Sequence, residues 1–488
     1  MGIARNSIAL AVSLALVACG GGGGGGGSAP PIQGGGGGGT PTPTPTTAGC
    51  SLDARQTFVD QVLNEWYLFP DLLATVSHSA HNDLQSYIDA KVAPARAQSK
   101  DRFFTYITSI EEEQAFFNSG SSAGFGIRLG YDTANNRVFV IEAFEGAPGL
   151  PQGLDRGVEL LSVGTSAGTL QSIASLMASG GPQAVINALG PSDTGVTRVF
   201  RIREVNGTER QITVSKAEFN LDPVSDRYGA KILNDNGKQV GYVNLRTFIN
   251  TAGADLSSAF NNFRLQGVTE VIVDFRYNGG GLVSIAELMG DLMGRNYAGQ
   301  VFSRTTLRPS KSSENETDLF TARSDAITAT KIAFIGTGST ASASELVANA
   351  FIPYLGNNTA LVGTNTFGKP VGQFAFDKAE CDDRLRAVTF KTENAAGQGE
   401  YFTGLASVFP VTCRATDDIF TQLGDPNEAS IARALAFLRG GAAQCNPISA
   451  VKDGATASAE AQRGLSTNRE MLVPDKPSAA QREVPGLF

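Results

Sequence analysis

Three short apolar runs, Val240–Leu245, Val271–Phe275 and Lys331–Gly336, each lead into a helical repeat. The repeats are Leu256, Ala259, Phe260 and Phe263, then Ile285, Leu288, Met289 and Leu292, then Leu346, Val347 and Phe351. Strands that are apolar on both faces are buried on both faces, and regular alternation with helices makes an α/β layer architecture. Residues 218–445 are therefore expected to form such a layer. In sheets of this kind, functional groups gather in the loops that follow the carboxyl ends of the strands.

The chain before that layer divides by composition. Arg5 supplies a short positive region and Ile8–Ala18 an apolar run too short to span a bilayer, so residues 1–18 read as an export signal. Its end, Leu16-Val17-Ala18-Cys19, resembles the bacterial lipobox, in which the cysteine becomes the lipid-bearing N-terminus. Two glycine runs, Gly20–Gly27 and Gly34–Gly39, and the Thr-Pro repeat Thr40–Pro45 follow. A glycine coil joined to a polyproline-like rod buries nothing; residues 19–49 are a tether with a reach of roughly 30 Å. In the lipoprotein pattern, Gly20 after Cys19 implies outer-membrane sorting. The expected location is the cell envelope, lipid-anchored, with the folded part periplasmic or surface-facing. Lys and Arg number 39 against 47 Asp and Glu, a net charge of −8, and no basic run appears, so nucleic acid is not an expected partner.

Apart from Cys19 the cysteines are Cys50, Cys381, Cys413 and Cys445, an even number that an oxidising compartment would use as two disulfides. Four cysteines allow three pairings. Strand-like runs at Arg386–Lys391 and Ala406–Val411, with turn material at Asn394–Gly399 between them, suggest a Cys381–Cys413 clip across a β-ribbon. Cys50–Cys445 would then tie the start of the folded part to its end. There is no C-x-x-C, and His78 and His81, the two histidines, are remote from every cysteine in sequence, so no metal site is expected.

Residues 50–121 read as a small helical module, from Phe58, Val59, Val62, Leu63 and Trp66 behind Asp53 and from Leu84, Tyr87 and Ile88. Residues 122–217 read as a β-rich unit, with strands at Phe125–Leu129, Val138–Glu142, Val199–Ile202 and Gln211–Val214 and short helices at Thr169–Met177 and Gln183–Leu189. The stretch Gly124-Phe125-Gly126-Ile127 resembles the carboxylate-binding loop of PDZ domains, where bare backbone N–H groups hold a peptide C-terminus and a strand edge pairs with the peptide. Glu145–Pro148 and Gly153–Gly157 resemble a further PDZ region, although Val158 stands where Asp is usual. Residues 446–488 contain few apolar side chains and are expected to be a disordered tail. The last five, Val484-Pro485-Gly486-Leu487-Phe488, are apolar in the way a PDZ groove accepts.

Two loops of the α/β layer carry chemistry. Asp274–Gly281 places three glycines after a buried strand, where bare N–H groups suit a developing oxyanion; taken alone, a tight turn needing positive φ explains them better. Gly338–Glu345 is a Ser/Thr-rich helix entry, ordinarily a cap. Gly363–Lys369 fits the phosphate-cradling pattern G-x-x-x-x-G-K, but Pro370 supplies no hydroxyl and Val371–Phe376 alternates like a strand, which argues against nucleotide binding.

Taken in order, Asp101–Phe104, Asp274–Gly281, Thr340-Ala341-Ser342-Ala343-Ser344-Glu345 and Thr366-Phe367-Gly368-Lys369 through Gln373 resemble the C-terminal processing, or tail-specific, peptidases: serine peptidases with a Ser/Lys pair and a PDZ domain. The resemblance spans Phe58 to Leu438. It implies a multidomain α/β protein: a helical N-terminal module, a PDZ-like domain and a peptidase core of the crotonase/Clp-like kind. By the same resemblance Ser342 is the nucleophile, Lys369 the general base and Gln373 its positioning partner. Ala343 and Gly280 would supply the oxyanion N–H groups, and the Gly124, Phe125, Gly126 and Ile127 loop would bind peptide. Thr340 and Pro370 depart from the pattern without removing a functional atom. Burial would lower the lysine pKa, with Phe367 and Phe374 as apolar walls. No cofactor is implied, and the partners are proteins or peptides with apolar C-termini. A catalytically dead peptide-binding lipoprotein and an acyl-thioester enzyme of crotonase-like architecture are the competing readings.

Overall fold

A six-stranded sheet forms the α/β layer, in the order Ala230–Asp235, Lys238–Asn244, Glu270–Asp274, Lys331–Gly336, Thr359–Gly363 and Thr412–Arg414. The first pair is antiparallel and every later pair parallel. The computed structural model describes residues 48–448 and 470–488, which belong to the compact unit Thr47–Phe488. Register matters more here than strand count. Asn244 lies opposite Asp274, Asp274 opposite Ile335, and Gly336 opposite Gly363. The strands therefore end level, and the loops after residues 274, 336 and 363 leave from one edge.

The strand alternation divides the apolar residues between the two faces. Val271, Val273, Ile332 and Phe334 pack with Leu256, Phe260, Met289, Leu292 and Val347 of the helices Ala252–Leu265, Val283–Met293 and Ala343–Ala350. On the opposite face Tyr242, Ile272, Ala333, Ile335 and Val362 pack with Ile431, Leu435 and Phe437 of the helix Ala429–Gly440.

A second sheet runs Tyr106–Ser109, Asp383–Glu393, Val301–Leu307 and Glu316–Leu319, with Val371–Lys378 also paired to Asp383–Glu393. Against it lie the helices Leu52–Trp66 and Leu84–Lys91. The first starts at Ser51, whose hydroxyl accepts from Ala54 N–H, and the second at Asp83, whose carboxylate accepts from Ser86 N–H. Asp53 thus falls inside the first turn. Val59, Leu63, Tyr67, Tyr87 and Ile88 join Val371, Leu385 and Val388 in one apolar cluster. The N-terminal helices therefore brace the hairpin that follows Lys369.

The β-rich unit has strands Ile127–Asp132, Arg137–Ala143, Glu159–Gly164, Thr197–Arg203 and Glu209–Ser215 around the helical element Ile173–Leu189. That element is broken at Gly181, just before Pro182, and so contains the two short helices that the sequence suggests.

Three expectations fail. The disulfides are Cys50–Cys381 and Cys413–Cys445, not Cys381–Cys413 and Cys50–Cys445. Residues 406–411 do not form a strand; Leu405–Ser407 is a single helical turn, and Asp383–Glu393 pairs instead with Val371–Lys378 and two other strands. Cys381 sits in the turn opening Asp383–Glu393, where the segment before the first helix arrives and Arg55 pairs with Asp383. Cys413 is on the edge strand of the parallel sheet, beside the turn that carries Cys445. Nor are residues 470–488 disordered. They form a short strand, Glu470–Met471, and a helical turn, Ala479–Glu483, and bury Val484, Leu487 and Phe488. The export signal, Cys19, the tether up to residue 47 and the tail segment 449–469 lie outside the described residues.

Candidate active site

The level edge of the parallel sheet brings three loops together. Ser342 precedes the helix Ala343–Ala350 and has φ 57° and ψ −118°, a left-handed conformation rare for a residue with a Cβ. Such strain costs of order 1–3 kcal/mol and persists only where the surroundings impose it. The surroundings are the 274–281 loop: Thr340 Oγ1 donates to Phe275 O at 2.8 Å, Ala341 N–H to Asn278 O at 3.0 Å, and Ser344 Oγ to Asn278 O at 3.2 Å. Ala343 is the first helical residue, so its N–H has no intrahelical acceptor.

Gly280 lies directly against Ser342. A Cβ there would sit 2.7 Å from the Ser342 Cβ and 3.1 Å from Ala343 N, and its φ of +117° suits glycine alone. Its own N–H, however, donates to Asn278 Oδ1 at 2.9 Å. The expected oxyanion pair is thus brought together with one donor engaged. The loop is anchored below by Arg276, fully buried between Asp274 and Glu428. From the β-rich unit, buried Arg128 donates to Tyr277 O.

Lys369 ends the third loop. Its amine donates to Gln373 Oε1 at 2.8 Å, and among the described residues this, not Ser342 Oγ, is its hydrogen-bond partner. Gln373 in turn donates to Phe104 O. The Phe104 ring lies 5.0 Å from the amine and 5.9 Å from the Phe367 ring. Loss of water around the amine lowers the Lys369 pKa from its ordinary value, against the opposing pull of Glu483 and Asp101. Phe374 is not part of that wall. It follows Gln373 on an alternating strand and packs on Trp66 and Phe390 instead.

The Asp101–Phe104 stretch now has a structural role for each polar group. Asp101 is buried and accepts from Phe104 N–H, Thr105 N–H, Thr105 Oγ1 and Tyr67 OH. Arg102 clamps the lysine loop through Phe367 O and Gly368 O, each at 2.6 Å.

Glu345 is the functional residue that sequence reading did not single out. It is fully buried and both carboxylate oxygens are used. Oε1 accepts from Thr366 Oγ1 at 2.6 Å and Gly368 N–H at 2.8 Å; Oε2 accepts from Lys369 N–H at 2.7 Å and Ser342 N–H at 3.1 Å. Burial raises its pKa and these hydrogen bonds lower it, with burial the larger. Four donors nonetheless leave no acceptor for a carboxyl proton. Its place at N3 of the helix behind Ser342 has the spacing of a capping box, the signal by which it is recognisable in the sequence.

The peptide-binding loop is also assembled. Phe125 is buried in the core of the β-rich unit, Gly126 O accepts from Phe144 N–H, and Ile127, at a sheet edge, has its N–H and C=O both paired with Phe488. Gly124 is so closely approached that a Cβ would stand 2.7 Å from the Phe488 carbonyl carbon. That loop and the Ser342 site are thus both in contact with other parts of the chain.

Strained serine, desolvated lysine and glycine loop thus lie on loops that leave one edge of the parallel sheet. Residues 239–404 match the model of peptidase family S41. The carboxyl-terminal-processing protease of Synechocystis sp. is 25% identical over 412 residues, covering 82% of this chain and 88% of its own. The chloroplastic C-terminal processing peptidase of Tetradesmus obliquus is 26% identical, covering 61% and 64%. A Bacteroides fragilis protein described as an S41 protease shares the fold, with a TM-score of 0.60 and 21% identity over 78% of this chain and 97% of its own. Over residues 239–404 the chain carries the pattern of peptidase family S41, and along most of its length it is similar to carboxyl-terminal-processing peptidases.

Glu345 generates a prediction. Glu345→Ala strips four buried donors of their acceptor and is expected to cost about 2–4 kcal/mol of stability. Glu345→Gln keeps the shape but turns an NH₂ toward those donors, so it should lower kcat by roughly 10²-fold or more. Thermal melts and peptide hydrolysis measure both; full activity in Glu345→Gln would show that the carboxylate does not hold the site.

Proposed function

We propose that the chain is a lipid-anchored serine endopeptidase that captures apolar C-terminal tails on a PDZ-like unit, residues 122–217, and cleaves with a Ser342/Lys369 dyad. The observation that carries this reading is the Lys369 amine: desolvated, held by Gln373, and on a loop whose backbone shares a carboxylate with Ser342. A serine hydroxyl needs an adjacent base. Neutral Lys369 takes the Ser342 Oγ proton as Oγ attacks the carbonyl carbon. Ala343 N–H stabilises the resulting oxyanion, and Gly280 joins it once its N–H leaves Asn278 Oδ1. The Lys369 ammonium then protonates the leaving amine, and water resolves the acyl-enzyme with the lysine again as base. Apo hydrogen bonds in such sites commonly tighten only with substrate present.

The PDZ-like assignment is supported by the edge strand Ile127–Asp132 behind a glycine loop and by the helical element Ile173–Leu189 in the same apolar core. The lipid anchor rests on the Leu16–Cys19 motif and the tether that follows it.

Ser342→Ala and Lys369→Ala should each lower kcat by roughly 10⁴-fold or more while melting normally, and the double variant should be little worse, because the pair acts as a unit. The base works only when uncharged, so activity should rise with pH through one ionisation below the ordinary lysine value. Lys369→Arg should be inactive at every pH, since a guanidinium does not deprotonate; peptide hydrolysis by that variant at the wild-type rate would exclude the base.

Amidating a substrate's C-terminus should raise KM, measured on matched free-acid and amide peptides. Equal KM values would dismiss the tail-reading role. Cells fed a palmitate analogue should label the wild-type protein and not Cys19→Ala; labelling of both would dismiss the anchor.

A further inference from the structure

The last residues of the chain occupy the groove that the proposed function reserves for substrate. Residues 486–488 add an antiparallel strand to the edge of Ile127–Asp132. Phe488 N–H donates to Ile127 O at 2.9 Å, Ile127 N–H to Phe488 O at 3.1 Å, and Leu129 N–H to Gly486 O at 2.8 Å. Arg128 faces Leu487 across the pair. Phe488 is buried in the apolar core of the β-rich unit with Phe125, Ile127 and Ile186. Farther along the same edge, Glu470–Met471 pairs with Tyr131 and Gly130, and Leu472 N–H donates to Leu129 O. The edge is filled at both ends by one segment.

That segment also reaches the chemistry. Glu483 O would lie 3.0 Å from a Cβ on Gly279, and Pro485 Cδ 3.3 Å from it, so the tail passes over the glycine loop beside Ser342. Glu483 is buried, and its charge opposes the loss of a proton from Lys369. Val484 and Leu487 pack with Phe117, Phe144, Phe219 and Ile249, which come from the helix before the β-rich unit, the unit itself and the peptidase core. Arg482 lies over the Tyr106 ring at 4.1 Å, and Gln481 Nε2 donates to Leu487 O at 2.9 Å, holding the tail in its bend.

We infer that residues 470–488 are an internal ligand of this peptidase: they fill its extended-peptide groove and lie against the glycine loop beside Ser342, and substrates act by displacing them. The inference rests on the proposed function for the identity of groove and base. It also specifies the substrate class. An extended tail that replaces this one adds a strand to Ile127–Leu129, puts a bulky aromatic residue in the Phe488 position, and presents an aliphatic residue next to it. A tethered ligand competes at a local concentration in the millimolar range, so a substrate peptide supplied at micromolar concentration faces a suppressed enzyme.

The experiment uses the exported chain with and without residues 479–488. On a Ser342→Ala background, a fluorescent peptide of sequence 479–488 should bind the shortened chain and bind the full chain at least ~10-fold more weakly, by fluorescence anisotropy. With Ser342 intact, the shortened chain should cleave a short amidated reporter peptide at least ~10-fold faster than the full chain, and the added 479–488 peptide should reverse the gain. Full-length Leu487→Asp with Phe488→Asp gives the same two readouts if the shortened chain does not fold. Equal peptide binding by both chains, or no binding by either, overturns the internal ligand; binding without any change in reporter cleavage overturns its inhibitory role. Because anisotropy needs no turnover, a chain without peptidase activity would still bind the peptide, which separates failure of the inference from failure of the proposed function.

Discussion

The buried carboxylate of Glu345 is the interaction on which the candidate site depends. Its four hydrogen bonds come from Ser342, Thr366, Gly368 and Lys369, residues on two loops that leave different strands of the sheet. A carboxylate in low dielectric is costly unless its oxygens are satisfied, and the same low dielectric strengthens each bond that satisfies them. The outcome is a short, stiff link between the backbone of a strained serine and the backbone of a lysine. The serine backbone and the lysine backbone are thus held to each other through a third residue.

Around that link the protein removes freedom in layers. The parallel sheet ends its strands level, which puts the serine loop and the glycine loop side by side, and Asn278 stitches them through Ala341 and Ser344. The N-terminal module supplies the other wall. Asp101 folds the backbone of residues 101–105 around its carboxylate; that fold aims Phe104 O at Gln373 and Arg102 at the lysine loop. A positioned, dehydrated amine therefore depends on residues more than 250 positions earlier in the chain, as the separation of Phe104 and Gln373 by 269 positions illustrates.

The edge strand Ile127–Asp132 poses the opposite problem. An open sheet edge carries unpaired N–H and C=O groups that recruit whatever extended chain is nearby. Here the neighbour is residues 486–488 and Glu470–Met471, which satisfy Ile127, Leu129 and Gly130 at once. The same exposed backbone that suits an edge to peptide capture makes it receptive to its own chain.

Periodicity and local chemistry determined much of this protein. Buried strands followed by amphipathic helices specify the layer, because side-chain alternation is a property of the local backbone. The Thr340–Glu345 helix entry, the lysine loop and the glycine loop are local too, which is why the segments that carry Ser342, Lys369, Gln373 and Gly280 stand out in the sequence. What only the tertiary structure decided is everything that depends on which segments meet. The cysteines paired as Cys50–Cys381 and Cys413–Cys445 because strand order, not sequence proximity, set their neighbours. Phe104 rather than Phe374 faces the lysine because the N-terminal module docks there and the strand turns Phe374 away. The tail, too polar to build a core of its own, is ordered over residues 470–488 because an apolar groove and an open edge built by distant strands receive it. Composition reports what a segment can bury by itself; it carries no information about the surfaces that the rest of the chain presents to it.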